Sequence, residues 1–175
     1  VGGVAGGASA AARLRRLSED AEIIIFERTA YVSYANCGLP YYIGGEIADK
    51  ADLTLQTPET FRERFAIDVR CESEVVAIHR TEKTLEVKNL RDGTFYTESY
   101  DKLILSPGAK AALPPVFGFD CPNIFTLRTV EDAVRIRTFA ETHRPKTAVI
   151  VGGGFIGLET AENLVHAGVE PTILL

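Results

Sequence analysis

The stretch AVIVGGGFIGLETAENLVHAGVEPTILL, Ala148–Leu175, decides the fold class. Its apolar start leads into three glycines spaced G-x-G-x-x-G, followed by a helical pattern and a second apolar run. A strand, a glycine turn, a helix and a strand form a βαβ unit, which implies a parallel sheet. Glycines at this spacing let the backbone approach a pyrophosphate, which the N–H groups at the helix N-terminus can bind. The stretch therefore predicts a dinucleotide site, against the alternative of a glycine-rich turn without a ligand. The residues assigned to this site are Gly152, Gly153, Gly154, Phe155, Ile156, Gly157 and Glu159.

The start of the chain repeats the pattern in VGGVAGGASAAARLRRLSEDAEIIIFE, Val1–Glu27. Here valine stands at the middle glycine position, and we expect Gly3 and Gly6 to restore the close approach. Dinucleotide folds place an acidic residue about 20 residues after the last glycine, where it binds ribose hydroxyls. Glu27 stands at that spacing from Gly7, and the alternative is a surface glutamate at a strand end. In the second copy the corresponding position, which would separate NADH from NADPH, falls beyond Leu175. The residues assigned to the first site are Gly2, Gly3, Val4, Ala5, Gly6, Gly7, Glu27 and Arg28.

The segment between the two copies predicts a mixture of helices, strands and loops. Capping residues and apolar spacing indicate the helices, and β-branched and aromatic runs indicate the strands. Asp92-Gly93 predicts a hairpin turn between the last two strands. The predicted elements are a loop with a short helix over 31–45, a helix over 57–67 with Thr57 as N-cap, strands over 68–80, 84–90 and 94–105, a loop over 106–118, and a helix over 129–143 with Thr129 as N-cap.

Two dinucleotide folds in one chain suggest two cofactors that exchange electrons. A flavin dinucleotide in one and a nicotinamide dinucleotide in the other is the natural pairing. The predicted fold class is α/β: a Rossmann-like FAD-binding domain with a β-meander insertion, and the first βαβ of a second Rossmann-like NAD(P)-binding domain. The predicted domains are 1–118 (first part of the FAD-binding domain), 119–146 (connecting segment) and 147–175 (start of the NAD(P)H-binding domain).

Composition narrows the possible partners. Of 175 residues, 46% are hydrophobic and 25% charged, and the net charge of −5 argues against nucleic acid as a partner. No apolar run reaches the roughly 18 residues of a membrane helix, so no membrane association is expected. Three cysteines without close spacing argue against a disulfide framework or a metal site, and favour a cytoplasmic location. The absence of methionine and the strand-like ends indicate a piece of a longer protein.

Cys37 lies in the segment SYANCGLPYY, Ser33–Tyr42, shortly after a predicted buried strand. A free cysteine is often a small buried hydrophobe, and that alternative stays open on residue chemistry alone. The other possibility is a redox-active or nucleophilic thiol near the start of a short helix.

Six stretches resemble FAD-dependent pyridine nucleotide-disulfide oxidoreductases, in the branch that contains coenzyme A-disulfide reductases and NADH oxidases. They are GGVAGGASAAARLRRL, IIIFER, YVSYANCGLPYYIGG, YDKLILSPGA, FTLRTVEDA and VIVGGGFIGLE, in order along nearly the whole chain. The resemblance implies FAD and NAD(P)H as cofactors and a homodimer in the full-length protein. It also implies a second flavin contact in LILSPGA, at Ser106, Pro107 and Gly108.

The resemblance implies that Cys37 is the catalytic residue. Many relatives carry two cysteines as C-x-x-x-x-C, but Tyr42 stands at the second position, so Cys37 has no local thiol partner. The implied reaction is NAD(P)H- and FAD-dependent reduction of a CoA disulfide through a mixed disulfide of Cys37 with coenzyme A. Alternatives are an NADH oxidase or peroxidase with a sulfenic cysteine, a persulfide or polysulfide reductase, and a non-catalytic nucleotide-binding redox sensor.

The resemblance also implies a coenzyme A site. Arg13 and Arg16 share a helix face, which is expected to meet the nucleotide phosphates together with Ser9. Ser33 and Asn36 are expected to contact the substrate thiol or the pantetheine arm. The alternatives are a solvated basic face for the arginines and ordinary loop hydrogen bonds for Ser33 and Asn36.

Overall fold

The structure is a computed structural model that describes residues 1–113, 115 and 118–175. The chain forms two compact units, each made of two segments. The first consists of Val1–Tyr34 and Thr54–Gly108, and the second of Ala35–Leu53 and Ala109–Leu175. The predicted loop over 106–118 falls partly outside the described residues. The domain boundaries at 118 and 146 stay a prediction.

The first unit combines a parallel strand pair with an antiparallel meander. Its helices are α1 (Ala5–Leu17) and α3 (Pro58–Phe65), and its strands are β1 (Ile24–Phe26), β2 (Asp68–Arg70), β3 (Ser73–His79), β4 (Thr84–Asn89) and β5 (Phe95–Ser99). Strands β1 and β2 pair in parallel, and β3, β4 and β5 form the predicted meander. The Asp92-Gly93 turn joins β4 to β5, as predicted, with Gly93 at a φ of 76°.

The first three residues take the place of a strand beside β1. The N–H of Gly2 donates to the carbonyl of Phe26 at 2.8 Å. On the other side, the Val1 amino group donates to the carbonyl of Ile104, and the N–H of Ser106 donates to that of Val1, both at 2.8 Å. The glycine turn therefore leaves the sheet between β1 and residues 104–106.

The single strand predicted over 68–80 is wrong, because the structure divides it into β2 and β3. Glu72 between them has a φ of 53°, in the left-handed region that side chains disfavour. Its N–H donates to the carbonyl of Thr29 at 3.0 Å. This turn takes the chain from the parallel pair into the meander.

The core of the first unit lies between α1, α3 and the parallel strands. Alanines on the inner face of α1 let the helix approach β1 closely, while Phe61 of α3 fills the space beside them, 2% exposed. The Phe61 and Phe65 rings lie 5.9 Å apart, as expected for residues on one helix face. The buried members of this core are Ala8, Ala11, Ile23, Ile25, Val32, Phe61, Ile67 and Val69.

The second unit contains the second βαβ and the segment around Cys37. Its helices are α2 (Leu39–Gly44), α4 (Val130–His143) and α5 (Phe155–His166), and its strands are β6 (Thr147–Val151) and β7 (Glu170–Leu174), which pair in parallel. Short 3₁₀ turns occupy Asn36–Gly38 and Lys50–Leu53. Among the helices within the described residues, none combines the length and apolar character needed to span a bilayer.

Helix α2 packs against both α4 and α5. A Cβ on Gly44 would lie 2.7 Å from the carbonyl oxygen of Asn163, so glycine is required where α2 meets α5. On the α4 side, Arg137 lies over the Tyr42 ring, 4.5 Å from its centroid. Its Nη1 also donates to the carbonyls of Tyr42, Ile47 and Ala48 at 3.0–3.1 Å.

Arg15 joins the C-terminal ends of two helices in the first unit. Its Nε donates to the carbonyl of Phe65 at 2.7 Å and its Nη2 to that of Ala66 at 2.9 Å, where α3 ends. The same guanidinium donates to the carbonyls of Ser18 and Ala21, and to that of Glu19, beyond the end of α1. Helix ends leave carbonyls without intrahelical partners, and a cation is favoured there.

Replacing Arg15 by methionine should destabilise the protein by roughly 2–3 kcal/mol, because several carbonyls lose a charged donor at once. Urea denaturation of the purified protein measures the change. Arg16→Met is the matched control, since Arg16 is exposed and makes one long bond, to the carbonyl of Ala12 at 3.3 Å. Equal stability of the two variants would show that Arg15 does not act as this link.

Candidate functional site

The first glycine turn is held by backbone contacts that exclude any larger residue. Gly2 has a φ of 94°, and a Cβ there would lie 2.0 Å from the carbonyl oxygen of Ser106. A Cβ on Gly7 would lie 1.7 Å from the carbonyl oxygen of Gly2. Because neither position can hold a side chain, α1 starts directly against the turn. A turn this tight is typical of glycine-rich dinucleotide motifs, and the approach of a pyrophosphate at Gly3 and Gly6 stays a prediction.

The N-termini of α1 and α5 differ from those of α3 and α4. Helices α3 and α4 start with complete capping boxes, Thr57 with Thr60 and Thr129 with Asp132, and both predicted N-caps are confirmed. Helices α1 and α5 have Val4 and Gly154 as N-caps, with no side-chain cap bond and no acidic residue in the first turn. The two helices that follow glycine turns thus keep their first N–H groups and positive dipole ends available for an anion.

These observations fit a dinucleotide at both turns. At the first, the bonds along α1 begin with the Ala8 N–H donating to the Val4 carbonyl at 3.0 Å, so the N–H groups before Ala8 have no helical partner. Gly6 also lies at this turn, since a Cβ on it would be 3.1 Å from the Ser106 Oγ. The structure thus brings together Gly2–Gly7 and Ser106, two sets of residues far apart in the sequence.

Glu27 is buried, 7% exposed, and its carboxylate supports the first turn. One oxygen accepts from the N–H of Gly3, and the other accepts from the N–H and the hydroxyl of Thr29, all at 2.8 Å. The alternative of a surface glutamate is therefore wrong. An ionised carboxylate has about four acceptor sites, so these three bonds leave room for one hydroxyl. The predicted bond to ribose stays a prediction.

The remaining residues assigned to the first cofactor lie at two places in the first unit. Arg28 is exposed at the surface, with its Nη1 3.8 Å from the Glu74 carboxylate. Ser106, Pro107 and Gly108 continue from the backbone that pairs with Val1, and Gly108 has a φ of 69°. Ser106 lies closest to the glycine turn, and the backbone nitrogen of Pro107 would lie 3.4 Å from a Cβ on Gly2.

The second glycine turn has the same geometry. Gly152 has a φ of 108°, and a Cβ on Gly157 would lie 2.2 Å from the Gly152 carbonyl oxygen. Phe155, the first residue of α5, is 87% exposed, and Ile156 is exposed as well. Glu159 is partly buried, and its carbonyl accepts a bond from the side-chain amide of Asn163 at 2.8 Å. Gly153 lies before the N-cap Gly154.

Cys37 is exposed in the 3₁₀ turn that leads into α2. The next three residues are buried, and a Cβ on Gly38 would lie 3.0 Å from Leu53 and 3.1 Å from Ile47. The turn is therefore packed down immediately after the cysteine, while the cysteine itself reaches solvent. The alternative of a small buried hydrophobe is wrong for Cys37.

Asn36, the residue before the cysteine, is held by an arginine 92 positions away in the sequence. Its Oδ1 accepts from the Nη1 of Arg128 at 3.0 Å. Arg128 also donates from Nε to the carbonyl of Ala109 at 3.2 Å. Tyr42, at the position of a second cysteine, is buried and lies under Arg137.

The predicted coenzyme A residues of α1 are all exposed. Ser9, Arg13 and Arg16 follow one another at intervals of four and three residues, so they share one face of the helix. Ser33 lies in the first unit with a φ of 48°; its N–H donates to the Gly3 carbonyl at 2.9 Å, and its carbonyl accepts from Leu55 at 2.8 Å. Their contacts with a substrate stay a prediction.

The two other cysteines differ in their surroundings, and all three are free thiols. Cys121 is exposed in a turn of the second unit. Cys71 packs against the core of the first unit, and burial, followed by the charge of Glu27, raises the pKa of its thiol to about 11. Within the described residues, no group of three or more His, Cys, Asp or Glu could hold a metal ion.

Sequence reasoning missed four residues that support these sites: Arg15, Thr29, Arg128 and Arg137. Thr29 could have been found, because a threonine two residues after Glu27 is well placed for a local hydrogen bond. The three arginines act on segments between 3 and 95 positions away, and their sequence surroundings carry no signal for that.

Two glycine turns of this geometry are typical of proteins that bind two dinucleotides. The whole chain, residues 1–175, matches the family described as pyridine nucleotide-disulphide oxidoreductase. The chain belongs to this family, which implies FAD and a nicotinamide dinucleotide as cofactors. Its α/β, Rossmann-like fold is confirmed by the solved structures below.

Individual relatives show which members of the family the chain resembles. It is 45% identical over 174 residues to the coenzyme A disulfide reductase of Staphylococcus haemolyticus, covering 99% of this chain and 39% of that protein. The reduced Bacillus anthracis CoADR-RHD structure is 53% identical with a TM-score of 0.96, covering 98% of this chain and 31% of that one. An NAD-dependent persulfide reductase from A. fulgidus is 36% identical with a TM-score of 0.93, covering 98% and 32%. The chain thus spans well under half the length of these relatives.

Gly7→Ala should destabilise the protein by at least about 2 kcal/mol, because the new Cβ meets backbone that must shift. Gly6→Ala is the matched control, since its Cβ meets the Ser106 hydroxyl, which can rotate away. Urea denaturation compares the two variants with the parent. A Gly7→Ala protein as stable as Gly6→Ala would contradict the described turn.

Cys71 should react with iodoacetamide only at strongly alkaline pH. With a pKa of about 11, about one thiol in a thousand is a thiolate at pH 8, and the fraction rises as the pH approaches 11. Peptide mass spectrometry after timed alkylation measures each cysteine separately. Exposed Cys121 is the internal reference, and Cys71 labelling as fast as Cys121 at pH 8 would show that the thiol is not buried as described.

Proposed function

We propose that this chain is part of a flavoprotein that reduces coenzyme A disulfide with NAD(P)H, using Cys37 as its single redox-active cysteine. The observation that carries the proposal is the exposed thiol of Cys37 together with the buried Tyr42 at the place of a second cysteine. The identity to coenzyme A disulfide reductase over 99% of the chain supports it. The domains predicted over 1–118, 119–146 and 147–175 belong to this proposal.

The chain's own residues suit the cofactors. The turn from Gly2 to Gly7, with Glu27 and Ser106, would hold FAD, and the turn from Gly152 to Gly157 would hold NAD(P)H. When bound, the flavin supplies the transfer of two electrons from the nicotinamide to a disulfide. The uncapped starts of α1 and α5 support this assignment, because each offers N–H groups to a pyrophosphate.

Cys37 supplies the sulfur chemistry. Its thiolate attacks one sulfur of coenzyme A disulfide, the S–S bond breaks, and one coenzyme A thiolate leaves and takes up a proton. Cys37 then holds the second coenzyme A as a mixed disulfide. Two electrons and a proton release this second molecule and restore the Cys37 thiolate. With no second cysteine at position 42, the substrate itself provides the other sulfur.

Residues of α1 and of the segment before Cys37 would bind the coenzyme A. Arg13 and Arg16, with Ser9, present an exposed polar face whose guanidinium groups suit paired hydrogen bonds to phosphate. Ser33 and Asn36 would contact the pantetheine arm or the substrate thiol. We also expect the full-length protein to be a cytoplasmic homodimer.

A persulfide reductase is the second candidate function. The A. fulgidus persulfide reductase shares the fold at a TM-score of 0.93. An exposed single thiol suits a persulfide substrate as well as a mixed disulfide, because both reactions form one S–S bond to Cys37. Relative rates with coenzyme A disulfide and a coenzyme A persulfide distinguish the two functions.

Cys37→Ser in the full-length protein should abolish NAD(P)H-dependent reduction of coenzyme A disulfide, since the hydroxyl cannot form the mixed disulfide. Flavin absorbance should stay unchanged, because Cys37 lies outside the glycine turn. Cys121→Ser is the matched control, as it removes the other exposed thiol and should keep parental turnover. Intact mass of the parent should show a coenzyme A adduct that is lost in the Cys37 variant.

Three results would contradict the proposal. Unchanged turnover in Cys37→Ser would support a redox sensor or another thiol. An oxygen adduct on Cys37 with NADH-driven oxygen consumption would support an oxidase or peroxidase. Preference for the persulfide over the disulfide would support the second candidate.

A further inference from the structure

We propose that Arg128 is a positioning residue for Cys37, acting through the side chain of Asn36. The proposal rests on the proposed function only in taking Cys37 as the reacting thiol. All the residues involved belong to the second unit. The guanidinium of Arg128 donates a hydrogen bond to the side-chain amide of Asn36, which lies one residue before the exposed cysteine.

The hydrogen bond fixes which way the Asn36 amide points. A guanidinium has only donors, so the atom that faces Arg128 Nη1 at 3.0 Å must be the carbonyl oxygen Oδ1. The NH₂ group of Asn36 is then turned away from Arg128, and it makes no hydrogen bond within the part of the chain that the structure describes. Arg128 thus leaves a donor in the residue next to Cys37 free for a substrate.

The backbone of Arg128 is fixed by the start of α4. Its backbone N–H donates to Asp132 Oδ2 at 2.9 Å, beside the capping box of Thr129 and Asp132 at the start of α4. Val130, the first residue of α4, is completely buried. Because the cap uses the backbone of Arg128, a change of its side chain leaves the start of α4 intact.

The guanidinium of Arg128 links two segments of the second unit that are far apart in the sequence. Its Nε donates to the carbonyl of Ala109, and its Nη1 donates to Asn36. Gly38 and Leu39 hold the turn after Cys37 by burial, and the N–H of Ala35 holds the backbone before it by donating to the carbonyl of Leu53 at 2.8 Å. Arg128 adds the side-chain hydrogen bond on that side, and without it the Asn36 side chain loses its fixed position beside the exposed sulfur.

The test is a double-mutant cycle in the full-length, FAD-loaded protein with Arg128→Met, Asn36→Ala and the double variant. The first readout is the rate of Cys37 alkylation by iodoacetamide, followed by peptide mass spectrometry. The second is kcat/KM for coenzyme A disulfide, measured beside KM for the nicotinamide. Arg128→Lys keeps a charged donor, and Arg135→Met, which removes an exposed guanidinium from α4, is the matched control.

We expect Arg128→Met to lower kcat/KM for the disulfide roughly ten- to a hundredfold, the size of one hydrogen bond to a charged group. KM for the nicotinamide should stay unchanged, Cys37 alkylation should slow, and Arg128→Lys should recover much of both. The double variant should match Asn36→Ala, because Arg128 acts through Asn36. Arg135→Met should behave like the parent.

Parental alkylation and kinetics in Arg128→Met would overturn the inference. So would losses that multiply in the double variant, because Arg128 would then act independently of Asn36. If the parent protein fails to reduce coenzyme A disulfide, the proposed function is wrong, and the alkylation cycle still decides whether Arg128 positions Cys37.

Discussion

The contact between Gly7 and the carbonyl of Gly2 is the constraint on which the first unit depends. It places the start of α1 directly against the glycine turn, at a distance that no side chain permits. The alanine face of α1 can then pack on β1, and Glu27 at the end of β1 can bond to Gly3. One steric requirement thus connects the turn, the core and the buried carboxylate, and the same arrangement recurs between Gly152 and Gly157.

The helices differ in whether a side chain caps their N-terminus. Helices α3 and α4 complete their first turns with threonine caps, which satisfy N–H groups internally and stabilise the helix. Helices α1 and α5 lack such caps and depend on packing alone. The two helix starts that follow glycine turns thus leave their first N–H groups without a side-chain partner, as expected if some local stability is given up for a ligand. The short helix α2 also lacks a side-chain cap.

Local signals in the sequence were sufficient for most of the fold. Glycine spacing predicted both turns, threonines predicted two caps, and Asp92-Gly93 predicted the hairpin. They failed at Glu72, because a left-handed glutamate between two strand-like runs has no compositional mark. The roles of Arg128 and Arg137 also escaped, since each depends on carbonyls or amides about 90 residues away that only tertiary structure brings near. For Cys37, residue chemistry left burial open, and the exposed 3₁₀ turn decided it.

Tyr42 affects how easily a second cysteine could be introduced at this position. Its ring fills the space between α2 and α4 beneath a guanidinium, so a small residue there would leave a void, and truncating a buried aromatic typically costs about 3–5 kcal/mol. A dithiol site in this scaffold would need compensating changes in α4 as well as a cysteine. Tyr42 is consequently built into the helix packing, and its exchange for a cysteine passes through less stable variants.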